Sequence, residues 1–160
     1  MHGRPREGCL GEEVELRATI ESGCRLLLHE DLTRLIIRVF YNVYDELGIG
    51  FIESVYERAM EVALTEAGLS IESQPRLEVY FRGLRVGDFR PDFVVQGRVI
   101  VELKAGRILE PAHDAQLLNY LRCSQAEVGL LLNFGAKPCF RRLVFTNDHK
   151  RPYRQSTPTA

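Results

Sequence analysis

The chain has no excess of charge of either sign: its 160 residues carry 21 Lys and Arg against 22 Asp and Glu, a formal net charge of −1. A protein that coats nucleic acid through overall basicity is thereby excluded, and any polyanionic partner has to be met by a local site. Close cysteine pairs are missing as well. Cys9, Cys24, Cys123 and Cys139 contain no CxxC spacing, which removes zinc knuckles and dithiol redox motifs from consideration. No apolar run approaches the roughly 20 residues that cross a bilayer. Residues 1–11 lack the apolar segment of a secretory signal, and no repeat or low-complexity tract occurs. These absences lead us to expect a cytoplasmic protein with reduced cysteines and no membrane partner.

What is present is an ordinary globular composition, 45% hydrophobic and 27% charged, in a chain long enough for one sizeable core. Residues 1–29 mix Gly, Arg and Glu without sustained periodicity, apart from a short helical stretch over 14–20, and read as a loosely attached extension. Residues 30–146 read as one domain, and 147–160, with Pro152 and Pro158, as a flexible tail. Within the domain, Leu32, Leu35, Ile36, Val39, Phe40, Val43 and Leu47 recur at helical spacing, with Asp31 as a cap and Gly48 as a stop. A second helix is expected over 50–67, with Phe51, Val55, Ala59, Val62 and Ala63 inward and Gly68 ending it.

The period then switches to two. Residues 77–82 and 84–89 form an expected antiparallel hairpin about Gly83, and the sheet is expected to continue as a meander through 93–95 and 99–103. Gln96-Gly97-Arg98 is the loop between the last two, with Gly97 where positive φ is needed. Helical spacing returns over 110–121, with Ala115, Leu118 and Leu121 inward, followed by strands at 129–133 and 140–145. This order predicts an α/β fold, a mixed central sheet flanked by helices, with the strand after the third helix parallel to its neighbour.

The informative segment is Arg90-Pro91-Asp92-Phe93-Val94-Val95, the loop, then Val99-Ile100-Val101-Glu102-Leu103-Lys104. The second strand reads as buried on both faces, yet ends in Glu102 and Lys104, and burying unpaired charge costs several kcal/mol. Residues two apart on a strand share a face, so these two point the same way. A loop at 96–98 pairs Val95 with Val99 and Val94 with Ile100, and brings Asp92 opposite Glu102. Two carboxylates and an ammonium thus meet at one sheet end. Carboxylates that close repel unless a cation neutralises them, and a hard, oxygen-lined site suits Mg²⁺ or Mn²⁺. A nearby lysine can position the attacking water or stabilise charge that builds on phosphorus. The plainer alternative is an ion pair of Lys104 with one carboxylate.

Pro91-Asp92 followed by Glu102-Leu103-Lys104 resembles the signature of the PD-(D/E)XK nuclease superfamily, and the element order resembles its restriction-endonuclease-like αβββαβ core. Gly50-Phe51-Ile52-Glu53-Ser54-Val55-Tyr56 is similar to the motif of the GxxExxY protein family, and Gln116 to Tyr120 is similar to the QxxxY motif of RecB-like exonucleases. The resemblance implies Mg²⁺- or Mn²⁺-dependent hydrolysis of DNA by metal-activated water, with RNA as the alternative substrate. It implies metal ligation by Asp92, Glu102 and the Leu103 carbonyl, with Glu53 as a third carboxylate. Lys104 would be the catalytic lysine and Gln116 would orient it or the scissile phosphate. Tyr120, Tyr56 and Arg90 would meet the substrate. Tyr44 stands in the first helix where relatives usually carry histidine.

Arg82, Arg85, Arg90, Arg107, Arg122, Lys137, Arg141 and Arg142 fall beside the expected strands and helix ends, where they can rim such a site. No base-reading helix or aromatic stacking motif stands out, so ends or single strands are expected rather than a defined sequence. A noncatalytic module that keeps the fold and binds nucleic acid or protein is the main alternative, and a purely structural ion network is a third. A homodimer is compatible with the sequence, which specifies no interface.

Overall fold

The structure is a computed structural model that describes residues 12–13 and 28–150; the helix expected over 14–20 lies outside them. Helix α1 runs Glu30–Leu47 and α2 Glu53–Glu66. The strands are β1 Glu12–Glu13, β2 Ile71–Ser73, β3 Leu77–Phe81, β4 Leu84–Phe89, β5 Phe93–Val95, β6 Val99–Lys104, β7 Val128–Asn133 and β8 Cys139–Val144, with α3 at Pro111–Arg122 between β6 and β7. Six strands make one mixed sheet in the order β1-β8-β7-β6-β5-β2, and β3 and β4 form a separate two-stranded ribbon. β6 and β7 are parallel, with α3 as the crossover that such a pair needs, and every residue of β7 is buried. This is the expected α/β class.

The helices differ from expectation in their ends and faces. α1 begins at Glu30, with His29 rather than Asp31 at the N-cap, and Asp31 joins Glu30 in the first turn, where negative charge meets the positive end of the helix dipole. Its stop at Gly48 is as expected, with φ 70°. α2 begins at Glu53, three residues later than its periodicity suggests, and turns Tyr56, Met60 and Leu64 inward. Phe51, Val55 and Val62, expected in the core, are exposed. α3 buries Leu117, Tyr120 and Leu121, while Ala115 faces solvent.

The sheet separates two apolar layers. Val99, Val101 and Leu103 of β6 join Phe93, Val95, Leu130 and Leu132 against α1 and α2. Ile100 joins Leu131, Leu143 and the buried side chains of α3 on the opposite face. Gly129 of β7 lets α3 come close, because a Cβ there would sit 2.8 Å from Leu117.

The expected continuous meander is broken. β2 pairs with β5 through Ile71↔Val95 to Ser73↔Phe93, and β3 pairs with β4 from Leu77↔Phe89 to Val79↔Gly87 in the same register. The two ladders are therefore one long hairpin, interrupted where the register sets Pro75 opposite Pro91. Neither proline has an N–H to give, so the ladder cannot continue through that rung. The last bond before the break runs from the Gln74 N–H to the Asp92 carbonyl at 2.8 Å, and Gln74 takes φ 49°. The outer half leaves the main sheet as the β3–β4 ribbon.

Short elements stand at either end of the described residues. Glu12–Glu13, in the expected loose extension, pair parallel with Arg141 and Arg142 of β8. Asn147–His149 form a single 3₁₀ turn, and the Lys150 ammonium donates to the Ser124 and Ala126 carbonyls at 2.9 and 2.6 Å. The rest of the expected tail lies outside the described residues.

Candidate active site

β6 places Glu102 and Lys104 on the α3 face, two and four residues after Ile100. The ladder to β5 runs Val95↔Val99, Val94↔Ile100 and Phe93↔Val101, the register expected from the 96–98 loop. Val94 packs on the α3 face, so Asp92, two residues before it, lies on that face as well. At this point β5 gives way to the proline break, and the side chain continues where the backbone stops: Asp92 Oδ2 accepts the Leu103 N–H at 2.7 Å. The N–H and C=O of one strand residue project to the same side, so the Leu103 carbonyl also faces the Asp92 side.

Lys104 Nζ donates to Glu102 Oε1 at 2.8 Å, with only 15% and 5% of the two side chains exposed. The other carboxylate oxygen, Glu102 Oε2, is buried with no hydrogen-bond partner. An acceptor left in this way carries a desolvation cost that nothing within the described protein offsets. The electrostatics agree. Burial, then the neighbouring Glu102, push the Asp92 carboxyl up to about 7 against the pull of the Leu103 N–H. Burial also holds the Glu102 carboxyl above its ordinary value despite Lys104. Burial opposes the Lys104 ammonium, but Glu102, Glu53 and Asp92 together hold its pKa above that of an ordinary lysine.

The remaining expected residues divide. Tyr120 lies beside this cluster: burial, then Glu102, push its hydroxyl up to about 12. It accepts a hydrogen bond from Gln116 Nε2 at 2.7 Å, so Gln116 engages Tyr120 rather than Lys104. Glu53, at the first turn of α2, is exposed but close enough to act electrostatically on Asp92, Glu102 and Lys104. Among the described residues, however, no three His, Cys, Asp or Glu side chains gather closely enough to hold one ion. The donors brought together are thus Asp92, Glu102 and the Leu103 carbonyl, with Glu53 outside. Arg90 is exposed on the short connection between β4 and Asp92.

Tyr56 lies apart from this cluster. It is fully buried, stacked on Phe134 with centroids 4.2 Å apart, and its hydroxyl donates to the Gly48 carbonyl at 2.8 Å. These contacts tie α2 to the end of α1. Among the expected basic rim, Arg141 is held by Asp114 and the Leu109 carbonyl, and Arg142 donates to the Leu28 carbonyl at 2.7 Å.

A family model described as the PD-(D/E)XK nuclease superfamily matches residues 30–143, which carry all of these groups. The chain belongs to the PD-(D/E)XK nuclease superfamily. A solved structure entitled "Crystal structure of SSO0001" is similar, with 18% identity, a TM-score of 0.48, and coverage of 76% of this chain and 62% of that one. The chain therefore spans less than two thirds of that protein's length. No curated protein matches.

Three further residues that shape this cluster were not singled out from the sequence. Glu57 adds repulsion to Asp92 from α2 and accepts Gln74 Nε2 at 2.8 Å; its place one turn after Glu53 was the available signal. Gln74 itself anchors the strand opposite Asp92. Asn133, fully buried at the end of β7, brackets Gly106 with two bonds of 3.0 Å and so fixes the chain just beyond Lys104. Its apolar surroundings in the sequence concealed that role.

Proposed function

We propose that this member of the nuclease superfamily hydrolyses phosphodiester bonds of DNA with a divalent cation, Mg²⁺ or Mn²⁺, held by Asp92, Glu102 and the Leu103 carbonyl. The observation that carries the reading is the partnerless, buried Glu102 Oε2 beside an Asp92 carboxyl that burial and like charge make hard to ionise. Such a pair fits a hard cation, and among the described residues no cation besides Lys104 meets it. When bound, the cation neutralises the two carboxylates and acts as a Lewis acid toward the phosphodiester. Lys104, kept as an ammonium by Glu102, donates to the charge that develops on phosphate rather than acting as a base. Gln116 donates into the Tyr120 oxygen, which leaves the Tyr120 proton free to be given to a phosphate oxygen. In this reading Glu53 and Glu57 act on the same site through water, and Arg90 contacts the incoming backbone. The Gly50 to Tyr56 motif supports placement in the GxxExxY family.

Calorimetric titration with Mg²⁺ and Mn²⁺ of the wild type and Asp92→Ala, with cleavage of fluorescent single- and double-stranded DNA by the same samples, tests this. Metal binding and cleavage that vanish together in the variant are expected. Cleavage by Asp92→Ala at the wild-type rate, or none by the wild type, would overturn the proposal.

A further inference from the structure

The β3–β4 ribbon takes no part in the main sheet, and β4 leads directly through Arg90 and Pro91 into Asp92. Cross-strand partners share a face, so Leu77, Val79 and Phe81 align with Phe89, Gly87 and Leu84 on one side. This apolar side is anchored at its base, where Phe89 packs on Tyr120 with ring centroids 5.7 Å apart. Toward the tip it becomes bare: Phe81 is 61% exposed and Leu84 72%. Strands of 5 and 6 residues give the ribbon a reach of about 17–20 Å. The two-residue turn Arg82-Gly83, both with positive φ, sets the Arg82 guanidinium 5.1 Å from the centre of the Phe81 ring. Midway, Gly87 leaves open space where a side chain would stand.

Charge distinguishes this ribbon from the helical side of the site. Residues 76–90 carry four arginines against two acids, whereas residues 30–66, which form α1 and α2, carry eight acids against three arginines. A polyanion approaching Asp92 is repelled on the helical side and drawn to the ribbon. A bare aromatic ring capped by an arginine, on a cationic arm continuous with the acid cluster, suits a nucleic-acid base that has left its stack.

We infer that the β3–β4 ribbon is a nucleic-acid arm: it stacks an unpaired base on Phe81 and Leu84 under Arg82 and leads that strand past Tyr120 to Asp92. The substrate class is therefore single-stranded or frayed nucleic acid rather than intact duplex. This rests on the nuclease reading for what happens at Asp92, but the binding itself requires no metal.

The test is fluorescence anisotropy in EDTA with a short labelled single-stranded DNA and its blunt duplex, together with 2-aminopurine emission from the single strand. Wild type, Phe81→Ala and Leu84→Ala are compared, with melting temperatures as the check on folding. The wild type is expected to prefer the single strand and to quench 2-aminopurine. Each variant should weaken single-strand binding by about tenfold and lose the quench at an unchanged melting temperature. Equal binding by wild type and Phe81→Ala, equal affinity for blunt duplex, or a dimer that Leu84→Ala dissociates would each overturn the arm. The two proposals fail separately. A wild type that binds through Phe81 but never cleaves with Mg²⁺ or Mn²⁺ removes the nuclease reading alone, and one that cleaves while Phe81→Ala binds normally removes the arm alone.

Discussion

Strand β6 presents opposite chemistries to its two sides. Toward α1 and α2 it turns Val99, Val101 and Leu103 into a layer of fully buried side chains. Toward α3 it turns Ile100, Glu102 and Lys104, and there a buried carboxylate oxygen has no partner. The first side is complete within the chain, since its apolar area is removed from water and its side chains fill the space between sheet and helices. The second is stable only at a cost, and the cost identifies where a ligand would be stabilising.

Four measurements sharpen or break this contrast. The largest effect belongs to the polar side. Glu102→Gln keeps the shape but removes the charge, so DNA cleavage should fall by about 10²–10³-fold while the metal-free protein melts no lower than wild type. A large loss of stability without metal would instead make the cluster a structural ion network. The next largest belongs to the apolar side. Leu130→Ala should cost about 2–5 kcal/mol by leaving a cavity, measured by chemical denaturation, with cleavage per folded molecule unchanged.

The third effect is a pH dependence. Asp92 ionises near 3.8 when unfolded but near 7 in the folded protein, so between those values the folded state holds the extra proton. The metal-free protein should therefore lose stability as pH rises from about 4 to about 7 and level off above, with Glu102 acting in the same direction. Asp92→Asn should reduce the slope, and saturating Mn²⁺ should abolish it. Melting curves across pH with EDTA or Mn²⁺ decide the matter, and a metal-free stability that rises over that window would contradict the electrostatics. The smallest effect is Tyr56→Phe, which leaves the Gly48 carbonyl short of its donor at a cost of about 1 kcal/mol. Metal affinity should be unchanged in this variant, and a loss of affinity would restore Tyr56 to the site.

Much of this was legible in the chain. The 96–98 loop and strict alternation along β5 and β6 determined which residues face one another, because a single-residue slip would have exchanged the two faces of β6. The sequence alone thus brought Asp92, Glu102 and Lys104 to one sheet end, and the spacing of Gln116 and Tyr120 put those two on one helix face. It misjudged α2, where Phe51, Val55 and Val62 follow helical spacing as well as Tyr56, Met60 and Leu64 do. Periodicity names a stripe but not its direction, and the direction was settled by the stacking of Tyr56 on Phe134, 78 positions away in the chain.

Tertiary structure alone decided the rest. Pro75 and Pro91 are unexceptional until the hairpin register sets them opposite one another and releases the β3–β4 ribbon. Glu53 and Glu57 have nothing in their own helix to tie them to Asp92, and the fold of α2 beside β2 supplies the connection. Local pattern determines which residues share a face, since that follows from backbone geometry within a few residues. Which faces meet, and which buried group is left without a partner, depends on contacts between distant segments that exist only once the chain has closed.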